Sequence, residues 1–133
     1  DFEAQQQQKI LHIDIDESIS VPLYPRPLCR AVENLLRNAI RYADKEVTIQ
    51  AMVHKQGIQI EIIDDGPGIQ KEADLEAIFD PFYRPQSARE RESGGWGLGL
   101  AIAKAAVQAH QGQIQAENNQ PKGLKISINL LAQ

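Results

Sequence analysis

The sequence predicts an α+β domain in which helices cover one face of a β-sheet. Three observations carry that expectation. Apolar residues alternate with polar ones, or run together over strand-like lengths, at residues 11–16, 46–53, 58–63, 113–117 and 124–131. Residues 27–43 and 101–111 instead carry apolar side chains at helical spacing, and 71–78 is long enough for a short helix. After the first strand, the strand-like segments fall into pairs joined by short polar turns, as antiparallel hairpins do. At 133 residues the chain suffices for one domain, 1–133, with a core of its own.

Bulk properties exclude several classes. A formal charge of −4 provides no basic surface for nucleic acid. No apolar run approaches membrane-spanning length and no secretory signal is visible, so no membrane contact is expected of this stretch. Cys29 is the only cysteine, so no disulfide can form within the chain, which fits a reducing cytoplasm. The chain opens at Asp1 without an initiator Met, as expected of a piece of a longer protein. Gln5 to Gln8 is a biased run too short to mean more than a solvated helix end.

Residues 1–9 are polar and read as a short helix or its tail. From Leu11 to Asp16 the alternation predicts a half-buried strand, with His12 on its polar side as a surface residue. Pro22, Pro25 and Pro27 mark a connection that ends at a helix start. In the helix of about 27–43, at about 100° per residue, Leu28, Val32, Leu35, Leu36, Ala39, Ile40 and Ala43 form one broad arc that must pack on a sheet. Asn34, Asn38 and Arg41 line up at i, i+4 and i+7, with Tyr42 between that stripe and the apolar arc. Asparagine is a mediocre helix former, because its amide competes for backbone hydrogen bonds. Two of them one turn apart beside an Arg admit two readings. They are neutral oxygen ligands for a hard cation such as Mg²⁺, with the Arg reaching phosphate, or they are a solvated helix face.

The hairpin of Glu46–Val53 and Ile58–Ile63 turns across His54–Gly57, with His54 facing solvent. Its second strand delivers Asp64-Asp65-Gly66-Pro67-Gly68-Ile69. An ionised Asp can only accept hydrogen bonds, and glycine lets the backbone take positive φ or another group come close. The stretch thus offers a fixed acceptor beside bare backbone, which suits a flat ligand with an exocyclic amine such as adenine. It equally suits a β-turn with a surface Asp. Phe79-Asp80-Pro81-Phe82-Tyr83-Arg84 is an aromatic cluster broken by proline. From Pro85 to Gly95 there is almost no apolar residue, so this loop is expected to be mobile, either a lid or a plain surface excursion. It ends in Gly94-Gly95-Trp96-Gly97-Leu98-Gly99-Leu100, which opens into the helix of 101–111. Free N–H groups and the positive end of a helix dipole make such a turn suitable for phosphate. Its spacing is that of neither the Walker A loop nor the Rossmann fingerprint. His110 in the last turn before Gly112 reads as structural, with the glycine suited to the C-cap.

Taken together, these stretches resemble the catalytic and ATP-binding domain of bacterial sensor histidine kinases. Asn34-Leu35-Leu36-Arg37-Asn38-Ala39 resembles the N box, Asp64-Asp65-Gly66-Pro67-Gly68 the G1 box, Phe79-Asp80-Pro81-Phe82 the F box, and Gly95-Trp96-Gly97-Leu98-Gly99-Leu100 the G2 box. They stand in the family's order. The run Ala88 to Gly95 looks most like the lids of the CpxA-type envelope-stress sensors. The resemblance implies a two-layer sandwich of the Bergerat type: a mixed sheet of about five strands packed on about three helices, with ATP under a lid at about 80–97. It implies that Asp64, with Gly66, Gly68 and Ile69, holds adenine and that Tyr42 lines the base. Asn38 would bind Mg²⁺ with Asn34 beside it, and Arg41 and Arg84 would meet phosphate. Gly95, Gly97, Leu98, Gly99 and Leu100 would hold the phosphates with their amides, and Lys104 is a further candidate. The implied partners are ATP, a His-containing helical dimerisation domain of the same protein, and a response regulator. The implied parent is a homodimeric inner-membrane sensor, with this stretch as a monomeric cytoplasmic part.

Two departures from the family's pattern stand out. None of His12, His54 or His110 has the context of the phosphorylated H-box histidine, so the acceptor is expected on another domain. Trp96 stands where the family usually has a small residue. Two other readings fit the same superfamily or none of its chemistry: an ATP hydrolase similar to the gyrase, Hsp90 and MutL proteins, or a non-catalytic nucleotide-binding module. The hydrolases carry a Glu general base four residues before the Mg²⁺-binding Asn. Here that place holds Asn34, which cannot take a proton from water at neutral pH, and Glu33 lies about 100° around the helix.

Overall fold

A mixed five-stranded sheet forms one layer of the protein, in the spatial order β1-β2-β3-β5-β4. The structure is a computed structural model that describes residues 8–16, 25–55, 57–81 and 99–131. The strands are β1 (Ile10–Ile15), β2 (Glu46–His54), β3 (Gly57–Asp64), β4 (Gln113–Asn118) and β5 (Leu124–Leu131). β1 runs parallel to β2. Every other pairing is antiparallel. Helices α1 (Arg26–Tyr42), α2 (Asp74–Ala77) and α3 (Gly99–Ala109) form the second layer. The expected two-layer α+β sandwich is therefore observed.

The alternation explains which face is covered. Val47, Ile49 and Ala51 of β2, Ile58 and Ile62 of β3, and Leu124, Ile126 and Ile128 of β5 are buried under the helices. From α1 the expected arc contributes Leu28, Leu35, Ala39 and Ile40, and α3 contributes Leu100, Ala103 and Val107. Each fully buried Leu or Ile adds about 1.5–3 kcal/mol. Leu35 and Ile40 have no exposed surface at all, so α1 is held to the sheet near its middle and its C-terminal half.

Local rules account for the element ends. Pro sits in the first turn of α1, where its missing N–H costs nothing. At the other end Lys9 Nζ donates to the Ile40 and Arg41 carbonyls at 2.6 and 3.2 Å, placing a cation at the negative end of the dipole. Ala43 then leaves in an extended conformation toward β2.

Several expectations need correction. β1 is an edge strand, and Ile13 (63% exposed) and Ile15 (42%) are open to solvent where a half-buried strand was expected. Among its described apolar side chains, Leu11 alone packs against the core. The first hairpin turns more tightly than expected, because His54 and Gly57 pair with each other as strand residues. The left-handed position after α3 is Gln111, with φ 63°, and not Gly112. Gly112 is required for space instead, since a Cβ there would lie 2.8 Å from Leu130 Cδ2 and 2.9 Å from the Asn129 carbonyl oxygen. His110 is structural as expected, its Nδ1 lying 2.9 Å from the Ala106 carbonyl oxygen.

Candidate nucleotide-binding site

The C-terminal half of α1, the end of β3 and the connection between β4 and β5 meet at one end of the sandwich. Asp65 holds the first two together. Its Oδ1 accepts from the amides of Asp44, Lys45 and Glu46 at 2.8, 3.0 and 3.1 Å, and Oδ2 accepts from Lys45 at 3.2 Å. Partial burial raises the Asp65 pKa, but these amides outweigh it and the net position is below the usual carboxylate value. The turn between α1 and β2 is thereby pinned beside the last residue of β3.

That residue is Asp64, 5% exposed and paired in register with Val47. Its Oδ1 accepts from the Gly66 amide at 2.8 Å and the Leu124 amide at 3.3 Å. No group among the described residues donates to its Oδ2. Desolvation, opposed by those two amides and reinforced by the negative charges of Asp65 and Asp44, pushes its pKa up to about 6. Asp64 is not a surface turn residue. It is a buried acceptor with one oxygen fixed and the other available.

The glycines of this turn serve the chain's own packing. A Cβ at Gly66 would overlap the Tyr42 carbonyl. Gly68 has φ 71°, and a Cβ there would lie 2.7 Å from both Asn118 Oδ1 and the Gly123 carbonyl oxygen. The close approach read from the sequence is thus made by protein backbone. Ile69 is buried in the core, and both its backbone groups are engaged by Asn118.

On α1 the polar stripe grades from half-buried Asn34 through buried Asn38 to exposed Arg41. Asn38 is 9% exposed, which excludes the solvated-face reading for it. Its Oδ1 is buried and has no hydrogen-bond partner among the described residues. An orphaned buried oxygen of this kind costs about 1–3 kcal/mol unless something binds it. A neutral amide oxygen fits a hard cation such as Mg²⁺. Tyr42 is more buried than a residue between two faces need be, at 7% exposed within the core. Glu33 is exposed and lines a separate apolar cavity of about 250 Å³ with Leu28, Cys29 and Val32.

At the start of α3 the Leu100 side chain is buried in the core. A Cβ at Gly99 would meet nothing among the described residues, unlike those at Gly66, Gly68, Gly112 and Gly123. Lys104 Nζ lies 5.8 Å from the centroid of the buried Phe79 ring, a cation–π distance. Arg84, Gly95, Trp96, Gly97, Leu98 and most of the expected lid lie outside the described residues. Sequence reasoning missed the structural parts of Asp65, Asn118 and Gly123. Asp65 adjoins a residue that was singled out, but Asn118 carries no local signal, because its partner is far away in the chain.

A buried carboxylate and an orphaned amide oxygen thus lie at one end of a mixed sheet covered by helices. The family model described as histidine kinase-, DNA gyrase B- and HSP90-like ATPase matches residues 24–133, and the chain belongs to that family. Among its relatives, sensor histidine kinase CpxA of Escherichia coli (strain K12) is 46% identical over 129 residues, which cover 96% of this chain and 28% of that protein. Sensor histidine kinase WalK of Bacillus subtilis (strain 168) is 39% identical over 119 residues, covering 86% of this chain and 19% of that one. The chain thus spans less than a third of the length of these relatives. Among solved structures, the mycobacterial sensor histidine kinase MprB aligns with a TM-score of 0.77 at 28% identity, over 98% of this chain and 88% of that one.

Proposed function

We propose that residues 1–133 are the catalytic and ATP-binding domain of a sensor histidine kinase, which transfers the γ-phosphoryl group of Mg-ATP to a histidine on a separate helical domain. The observation that carries this reading is Asp64: a carboxylate kept out of water, one oxygen fixed by two amides and the other without a donor among the described residues. Such a group costs stability in the free protein, and the exocyclic amine of adenine supplies the missing donor. Two further features support the reading. Asn38 Oδ1 is the buried oxygen that a cation would satisfy. A Cβ at Gly99, at the start of α3, would meet nothing among the described residues.

The residues then act by position and charge. Asp64 accepts from the base, and Tyr42 lines it. Asn38, with Asn34 beside it, would hold the Mg²⁺, and Arg41 and Arg84 would meet the phosphates. The amides of Gly95, Gly97, Leu98, Gly99 and Leu100 would hold the phosphates, with residues 80–97 as the lid. Mg²⁺, when bound, neutralises charge on the transferring group. Asn34 cannot accept a proton from water, so the domain alone hydrolyses ATP slowly and awaits an imidazole nucleophile. The partners are that helical domain, in a homodimeric membrane sensor, and a response regulator.

Mixing the chain with a matching His-containing helical domain and Mg-ATP should yield an acid-labile phosphohistidine. Rapid hydrolysis by the chain alone, with no transfer, would place it with the ATP hydrolases instead.

A further inference from the structure

The turn that follows Asp64 has little holding it in place. Among the described residues no backbone–backbone hydrogen bond involves residues 66–70. Pro67 has no N–H to give, and Gly68 is in the left-handed region. Such a turn has many accessible courses unless side chains select one. At its near end the selecting group is Asp64 itself, through the Gly66 amide. At its far end it is Asn118, the last residue of β4. Asn118 Oδ1 accepts from the Ile69 amide at 2.8 Å, and Nδ2 donates to the Ile69 carbonyl at 2.8 Å. One side chain thus satisfies both backbone groups of a buried residue, as a neighbouring strand would.

The same connection also holds Asp64. The amide of Leu124 donates to Asp64 Oδ1, and a Cβ at Gly123 would overlap the Asp64 carbonyl. The Asn119 amide closes the connection on the Gly123 carbonyl at 2.8 Å. The segment from Asn118 to Leu124 therefore touches the turn at both ends.

We propose that Asn118 is a positioning residue for base recognition: its amide clamps Ile69 and so sets the course of the turn from which Asp64 meets adenine. This rests on the assignment of Asp64 to the adenine amine. Asn118 touches no substrate and acts only through the turn.

The test uses this chain with Asn118→Ala, Asn118→Asp and Asp64→Asn, each checked for a cooperative thermal transition. Amide exchange by NMR reads the clamp directly: the Ile69 amide should exchange faster in Asn118→Ala, while the β3 amides of Ile60 and Ile62 keep their protection. Calorimetry should show ATP and adenosine each binding about tenfold more weakly, since two hydrogen bonds that order the turn are gone. The preference for ATP over GTP, which lacks that exocyclic amine, should shrink by the same factor. Asn118→Asp keeps the acceptor for the Ile69 amide but sets a carboxylate oxygen against the Ile69 carbonyl, so its affinity should also fall. It carries the test if the alanine variant does not fold. A purely structural residue would lower the melting temperature and leave base preference unchanged. Parental ATP affinity in a folded Asn118 variant, alongside weak binding by Asp64→Asn, overturns the role of Asn118 and leaves the adenine assignment standing. Parental ATP affinity in Asp64→Asn overturns both.

Discussion

Asp64→Asn should make the free protein more stable and the nucleotide complex weaker. The carboxyl is pushed from its usual 3.8 to about 6, first by desolvation, with the Gly66 and Leu124 amides opposing and the charges of Asp65 and Asp44 adding to the rise. A folded pKa above the unfolded one means that the native state binds the proton more tightly. Stability is then greatest below about pH 4, falls as pH rises through about 6, and is level above that. Two pKa units correspond to about 3 kcal/mol, the cost at neutral pH of keeping this charge buried. Asparagine retains the shape and an oxygen for the two amides while removing the charge. Its Nδ2 then takes the place of an oxygen that has no donor, and finds no acceptor there among the described residues. The net gain at neutral pH should be about 1–2 kcal/mol. Thermal melts of both proteins from about pH 5 to about pH 8 should show a parental stability that falls up to about pH 6 and then levels, and a flat one for the variant. Calorimetry near neutral pH should show ATP binding about ten- to a hundredfold weaker in the variant, through loss of a charged acceptor. A variant less stable than its parent at neutral pH, with the pH slope intact, would refute the buried-charge argument.

Two further substitutions separate neighbouring roles. Asn38→Ala should remove the Mg²⁺-dependent part of ATP affinity and leave adenosine binding at the parental level, as measured by titrations with and without the metal; a variant that responds to Mg²⁺ as the parent does would take Asn38 out of the ligand set. Asp65→Ala should cost about 1–3 kcal/mol, through four hydrogen bonds to the turn between α1 and β2. Its lowered pKa gives the opposite sign to Asp64: this stabilisation is complete above the unfolded value and is lost as pH falls, so acid melts of parent and variant should converge.

Local signals in the sequence were sufficient for the elements. Period-two alternation marks β2, β3 and β5, because each of these strands has one face under the helices. The apolar arc of α1 was legible for the same reason, and the stacked Asn34 and Asn38 stood out because helices otherwise avoid them. The adjacent Asp64 and Asp65 marked the place of the site but gave no account of how they divide the work. That division follows from register: pairing with Val47 buries Asp64, and the chain's course beyond it brings Asp65 against the amides of residues 44–46. Edge position decided the exposure of Ile13 and Ile15, which alternate as regularly as the buried residues of β2. Asn118 and Ile69 are 49 residues apart, and their bond exists because β5 lies between β3 and β4 and brings the ends of both to one wall. Sequence determines period, and with it which residues want water excluded. Which groups then meet at the end of the sheet is set by strand order and register, properties of contacts between segments that no single segment carries.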